Sequence, residues 1–207
     1  MTRFNYDCTV EIEGTAPLTF GKPVGEKKLT TESFDEHEER TWREKIHRNK
    51  EGQAFIPAMA LKLGLAEVAK HLGEKVPGAG MSKYTKHFTR GIMVPDPLLL
   101  FDENGDAIHF ESIACNRLFV PADGRPGGGK RVFKNFPEVE SGWTATATVT
   151  VLDPVITPEL VERYIEDQGI MIGLLVHRPQ NNGVNGRFRI TSFSHTKTGE
   201  TAMAGAK

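Results

Sequence analysis

The sequence predicts an α+β domain, and three observations carry that prediction. Residues 4–13 and 143–152 each alternate apolar and polar side chains, the period of a half-buried strand. Residues 58–72 combine apolar side chains with strong helix formers. Residues 157–168 repeat a helical spacing behind a Thr-Pro start, with Thr157 as cap and Pro158 in the first turn.

Taken in order, Phe4, Tyr6, Cys8, Val10 and Ile12 alternate with Asn5, Asp7, Thr9, Glu11 and Glu13, and Gly14 ends this first strand. Ala16-Pro17-Leu18-Thr19-Phe20-Gly21 reads as an extended turn. Residues 26–52 are polar and highly charged, either a solvated loop or a projecting helix around 36–48. A connection of that length inside a domain is usually functional or disordered. Pro57 suits the first turn of the helix that follows, because its missing N–H costs nothing there. That helix carries Met59, Leu61, Leu63, Leu65, Val68 and Leu72, with Lys70 and His71 in its last turn and Gly73 as its stop. Gly64 inside it marks close packing against another backbone, or is simply tolerated.

Residues 77–80 read as a loop and 87–94 as a strand closed by Pro95 and Pro97. Residues 98–101 are a short apolar piece, Asn104-Gly105 a turn, and 107–114 a further strand. A short strand at 118–120 precedes a long loop. In the strand at 143–152, Trp143, Ala145, Ala147, Val149 and Val151 face one way and Thr144, Thr146, Thr148 and Thr150 the other. The second helix spaces Leu160, Val161, Tyr164, Ile165 and Gln168 at three and four, and Gly169 closes it. A short strand at 170–175, a glycine-asparagine loop at 180–186 and a last strand at 187–193 follow. The resulting order is a β-α-β-β-α-β core with long insertions, the ferredoxin-like or RRM-type topology. It forms one domain over residues 1–195, interrupted at 26–52 and at 121–137, with a flexible tail at 196–207.

Composition excludes several functional classes. Cys8 and Cys115 are too few and too far apart for a disulfide framework or a zinc site. They read as reduced structural thiols, which places the chain in a reducing, cytoplasmic setting. The first residues lack an apolar signal core, and apolar runs such as 170–176 are too short to span a bilayer, so no membrane partner is expected. None of the seven histidines pairs at metal-ligand spacing. Neither His-Glu-x-x-His nor Gly-x-Ser-x-Gly occurs. No metal, no cofactor and no covalent catalytic centre is therefore expected.

Net charge is -1, so any attraction for phosphate must be local. Glu26, Glu32, Asp35, Glu36, Glu38 and Glu39 form an acidic run, followed by Arg40, Arg43, Lys45, Arg48 and Lys50 around Trp42. Cations interleaved with an aromatic grip single strands by neutralising phosphates and stacking on bases. The ordinary alternative is a solvated helix with Trp42 packed inward. Residues 124–137 hold Arg125, Lys130, Arg131 and Lys134 and no acid. Gly124 to Lys130 fits the start of a phosphate-binding loop, but Arg131 stands where Ser or Thr would hold Mg²⁺. That leaves a flexible basic loop touching a backbone phosphate, or a plain solvated one. A third segment, His177-Arg178-Pro179 through Gly186-Arg187-Phe188-Arg189, lets arginines approach a phosphate chain, or is an ordinary hairpin turn. Asp35 is the one weak catalytic candidate, since a loop carboxylate can hold a divalent ion against a phosphodiester.

Three segments together resemble the Repeat-Associated Mysterious Protein (RAMP) superfamily, in the branch that forms the backbone of CRISPR effector complexes. Val10-Glu11-Ile12-Glu13-Gly14-Thr15-Ala16-Pro17-Leu18 is similar to its first strand and Pro-Leu turn. Phe55-Ile56-Pro57-Ala58-Met59-Ala60-Leu61-Lys62-Leu63-Gly64 is similar to its Ile-Pro-Gly-Ser-Ser-Leu-Lys-Gly helix start, with Ala58-Met59-Ala60 in place of the small Gly-Ser-Ser. Gly183 to Arg189 is similar to its C-terminal glycine-rich loop.

The resemblance implies a non-catalytic subunit that binds single-stranded RNA (or single-stranded DNA). It would stack along the strand as a homo-oligomer or within a Cas-type complex, with 26–52 as a thumb. Arg40, Arg43, Lys45, Arg48 and Lys50 are then expected on one side of the strand. Lys130, Arg131, Arg187 and Arg189 are expected on the sheet side, joined by Arg125 and Arg178, with Trp42 or Phe133 stacking on a base. Three rival readings stand beside this one. One is a metal-dependent ribonuclease using Asp35, which holds a place comparable to an aspartate that cuts target RNA in some relatives. Another is a phage inhibitor that mimics a CRISPR backbone subunit, and the last is a structural assembly protein.

Overall fold

The computed structural model of the chain describes residues 6–122 and 129–197. Strand β1 (Tyr6–Gly14) buries Cys8, Val10 and Ile12 and turns Thr9 and Glu11 outward, as alternation along a strand requires. It pairs antiparallel with β8 (Thr144–Val151) on one side and β9 (Phe188–Lys197) on the other. Two short strands, β4 (Ile92–Met93) and β5 (Leu98–Phe101), pair with β8, and β3 (Phe55–Ile56) completes the sheet beside β5.

Helices α2 (Ala58–Leu72) and α4 (Pro158–Asp167) supply the side chains that cover the apolar face. Leu61, Leu65, Val68, Val161, Tyr164 and Ile165 are buried there with the β1 and β8 residues. Each such side chain removed from water contributes roughly 1.5–3 kcal/mol. Both ends of α2 follow the local signals, with a left-handed Gly73 as the stop. At α4, Thr157 accepts from the Leu160 N–H at 3.3 Å. The order strand, helix, strand, strand, helix, strand runs through β1, α2, β5, β8, α4 and β9, and the chain is of the α+β class.

A second sheet joins β2 (Leu18–Thr19), β7 (Arg131–Val139) and β6 (Ala114–Pro121), in the order β2-β7-β6. Against β7 pack α1 (Phe34–Thr41) and the 3₁₀ turn Trp42–Lys45 that continues it. The two insertions of the sequence thus meet as one lobe beside the main sheet.

Several elements differ from the sequence reading. Residues 131–137, taken there as loop, belong to β7. Pro137 is tolerated in this strand because the contact with the segment after β2 uses its carbonyl, which accepts from the Phe20 N–H at 2.9 Å. The expected strand at 87–94 is helix α3 (Tyr84–Arg90) followed by β4. Burying Phe88, whose ring stacks 4.4 Å from Tyr164, favours the helix over the weak strand propensity. Residues 107–113 make only isolated bridges, Phe101 to Ala107 and Gln53 to His109, and the strand there is β6, starting at Ala114.

The expected strand at 170–175 is replaced by a π turn, Gln168–Ile172, that prolongs α4 past Gly169. Gly169 is a contact point: a Cβ there would lie 2.1 Å from the Phe188 carbonyl oxygen. Gly64 is likewise a close approach, to the buried Gln168 side chain rather than to a backbone. Strand β9 runs on to Lys197, beyond the expected end of the last strand, and takes in the first two residues of the expected tail. Phe4, Asn5, the rest of that tail and Arg125 lie outside the described residues. Both cysteines are free thiols; burial pushes Cys8 up to about 12, whereas Cys115 is exposed. Among the described residues no helix is long and apolar enough to cross a membrane.

Candidate nucleic-acid interface

Helix α1 starts with a capping box. The Glu36 N–H donates to Ser33 Oγ at 3.2 Å, and the Ser33 N–H donates to Glu36 Oε2 at 2.7 Å. This start aims the last turn of α1 back at the acidic run. Arg40 donates to Glu32 Oε1 at 2.8 Å and also pairs with Glu26. The guanidinium, helped by the Leu29 N–H, holds the Glu32 carboxyl at about 2. Lys45 is only 7% exposed. Its Nζ bridges Glu38 at 2.6 Å and the Asn135 carbonyl at 2.8 Å, tying the 3₁₀ turn to β7. Arg40 and Lys45 of the basic run are therefore neutralised in space by Glu26, Glu32 and Glu38 of the acidic run.

Trp42 is 5% exposed and packs inward, with the Arg43 guanidinium 4.1 Å from its ring centre. A base cannot reach a ring so placed, so the stacking role expected for Trp42 is not available to it. Arg43, Arg48 and Lys50 are exposed, and Arg48 lies 3.9 Å above the Phe110 ring.

The sheet side is no more cationic. Arg189 pairs with Glu13 at 2.8 Å, and Arg187 donates to the Ile170 carbonyl. Arg178 is half-buried and its Nε has no partner, and burial lowers its guanidinium from the usual value. On the face away from the helices, Asp7, Thr9, Glu11 and Glu13 stand opposite Thr150, Thr148, Thr146 and Thr144. The carboxylates on that face repel phosphate. Arg40, Lys45, Arg187 and Arg189 are thus each engaged by a carboxylate or carbonyl of the chain.

A different surface gathers exposed aromatic rings and cations. In the β6–β7 hairpin, Phe119 stands opposite Phe133, Arg117 opposite Asn135, and Pro121 opposite Arg131. Residues paired in this way share a face. The two phenyl rings are 5.0 Å apart, and they are 52% and 48% exposed. The Arg117 guanidinium lies 4.8 Å from the Phe133 ring and that of Arg131 lies 5.6 Å from the Phe119 ring. Exposed Lys130 adjoins Arg131 at the start of β7. Sequence reasoning named Phe133, Arg131 and Lys130 but missed Arg117 and Phe119. The signal was present in Arg117-Leu118-Phe119-Val120 and Arg131-Val132-Phe133-Lys134, two alternating stretches whose pairing makes one face.

Asp35 lies 3.3 Å from Arg117. Among the described residues no group of three or more His, Cys, Asp or Glu is placed to hold a metal ion. A guanidinium beside Asp35 competes with a divalent cation for its carboxylate.

No protein-family model matches the chain, and no curated protein matches it.

Proposed function

We propose that this protein binds single-stranded nucleic acid on the outer face of the β6–β7 hairpin. The observation that carries the reading is the half-exposed Phe119–Phe133 pair with Arg117 and Arg131 over its rings. Flat apolar rings in water accept bases by stacking, and the flanking cations neutralise the phosphates between them. Lys130 extends the cationic edge, and Arg43, Arg48 and Lys50 lie exposed on the lobe that carries the hairpin. The preference for RNA and the stacking of copies along the strand rest on the resemblance to the RAMP superfamily. The finer reading of β1-α2-β5-β8-α4-β9 as a ferredoxin-like core rests on the order of those elements along the chain.

Fluorescence anisotropy with labelled single-stranded RNA, single-stranded DNA and duplex tests the reading. Single strands are expected to bind more tightly than duplex, with affinity falling steeply as salt rises. Phe119→Ala and Phe133→Ala should each weaken binding by about 1–3 kcal/mol, the worth of one base–aromatic stack. Failure of all three nucleic acids to bind at low salt, or full affinity in the Phe119→Ala, Phe133→Ala double variant, would remove the hairpin from consideration.

A further inference from the structure

Behind the hairpin lies a cleft that the strand-binding reading does not use. We propose that it is a separate binding site for a nucleoside monophosphate. The cleft measures about 780 Å³, inside the usual range for small-molecule sites of roughly 300–1,000 Å³. It is bounded by the segment after β2, the inner face of β6–β7 and the loop at 176–182. Because side chains alternate along a strand, Val120, Lys134 and Phe136 point to this side while Phe119 and Phe133 point to the other.

The lining has the two characters that a nucleotide needs. Val24, Val120, Val176 and Phe136 offer an apolar surface to a planar base, and the amides of Asn181 and Asn182 offer donors and acceptors to its edge, whereas Gln180 Nε2 donates to Glu67 at 3.2 Å. Exposed Lys22 brings a cation for a phosphate and Lys134, whose Nζ donates to the Ala122 carbonyl at 3.1 Å, brings a second, while Glu38 in the same lining neutralises Lys45. His177 packs edge-on against Phe136 at 4.6 Å, and its Nε2 is buried without a hydrogen-bond partner. A buried nitrogen left without a partner is a free-energy cost. Burial also lowers the imidazole below its usual value, so the ring is neutral at pH 7 and one ring nitrogen is able to accept.

The loop that presents these groups is held in an unusual backbone. Leu175, His177 and Asn182 have φ of 59°, 55° and 61°, and among the described residues they are the non-glycine positions in the left-handed region. Such conformations persist only where the surroundings over-determine them, and they cluster at binding sites. Here the Gly183 N–H donates to the Arg178 carbonyl at 3.0 Å and the Asn185 N–H to the His177 carbonyl at 3.0 Å. The loop is therefore set before any ligand arrives.

Isothermal titration calorimetry of the full chain with AMP, GMP, CMP and UMP in turn, and with inorganic phosphate, tests the assignment. Saturable binding of at least one nucleotide is expected, weakened about tenfold by Lys22→Gln and by Lys134→Gln. Circular dichroism of both variants should match the parent, since Lys22 is exposed and Lys134 half-buried. Three results would overturn the proposal: no saturable heat with any nucleotide at millimolar concentration, inorganic phosphate binding as tightly as the nucleotides, or displacement of a bound nucleotide by a short single-stranded oligonucleotide. The last would make the cleft part of the strand's path. The assignment does not depend on the outer face of the hairpin binding nucleic acid.

Discussion

The main sheet and the β6–β7 hairpin use the same period-two alternation to opposite ends. In the main sheet, β1 and β8 send their apolar residues under α2 and α4 and leave threonines and carboxylates on the other side. In the hairpin, Phe119 and Phe133 stay half exposed, with the Arg117 and Arg131 guanidinium groups over their rings and Asp35 paired with Arg117. The difference lies in what covers each face. Two helices are long enough to shield a whole sheet face. The short α1 reaches only the Arg117 and Asn135 level of the hairpin, through Asp35, Glu38 and Glu39. In the proposed function, uncovered rings next to cations serve as the ligand surface, whereas a threonine and carboxylate face next to water is a solvated exterior.

The sharpest way to break this comparison is to make one substitution in both regions. Phe88→Ala removes a fully buried ring stacked on Tyr164 and should cost about 3–5 kcal/mol in urea denaturation. Phe119→Ala, on the hairpin, should stay within about 0.5 kcal/mol of the parent, as surface changes do. Equal losses would mean that the hairpin rings are structural and not a ligand surface.

Acid should separate the lobe from the core. Arg40 depresses the Glu32 carboxyl to about 2. The pair's contribution is therefore complete above the ordinary carboxylate value of about 4 and disappears as pH falls from there toward 2. With Trp143 replaced by Phe, the fluorescence of Trp42 reports on the lobe alone. Arg40→Gln should move the acid transition of that signal to higher pH. An unmoved transition would show that the acidic and basic runs do not hold each other.

The smallest expected effect concerns single charges. Arg131→Gln should lower the slope of log affinity against log salt by about one for single-stranded RNA. Arg189→Gln should leave it unchanged, because Arg189 is already paired with Glu13. A reduced slope for Arg189→Gln would return the open sheet face to the interface.

Local chemistry made much of the fold legible. Alternation in residues 6–13 and 144–151 marked β1 and β8, Gly73 ended α2, and Thr157-Pro158 started α4, because these signals act within one turn or one strand. The site was only half legible for the same reason. Phe133 and Arg131 could be suspected as a ring and a cation, but Phe119 and Arg117 join them only once β6 and β7 pair.

By itself, then, the sequence determined the α+β class, the two long helices with the end of α2 and the start of α4, and the low net charge that keeps any phosphate-binding surface local. Tertiary structure alone decided which cations remain free. Arg40 is neutralised by acids 8 and 14 residues away, Lys45 by an acid 7 residues away with a further bond to a carbonyl 90 residues away, and Arg189 by an acid 176 residues away. Residue type sets a charge, but only the fold sets its neighbours, and Coulomb energy depends on distance in space rather than separation along the chain.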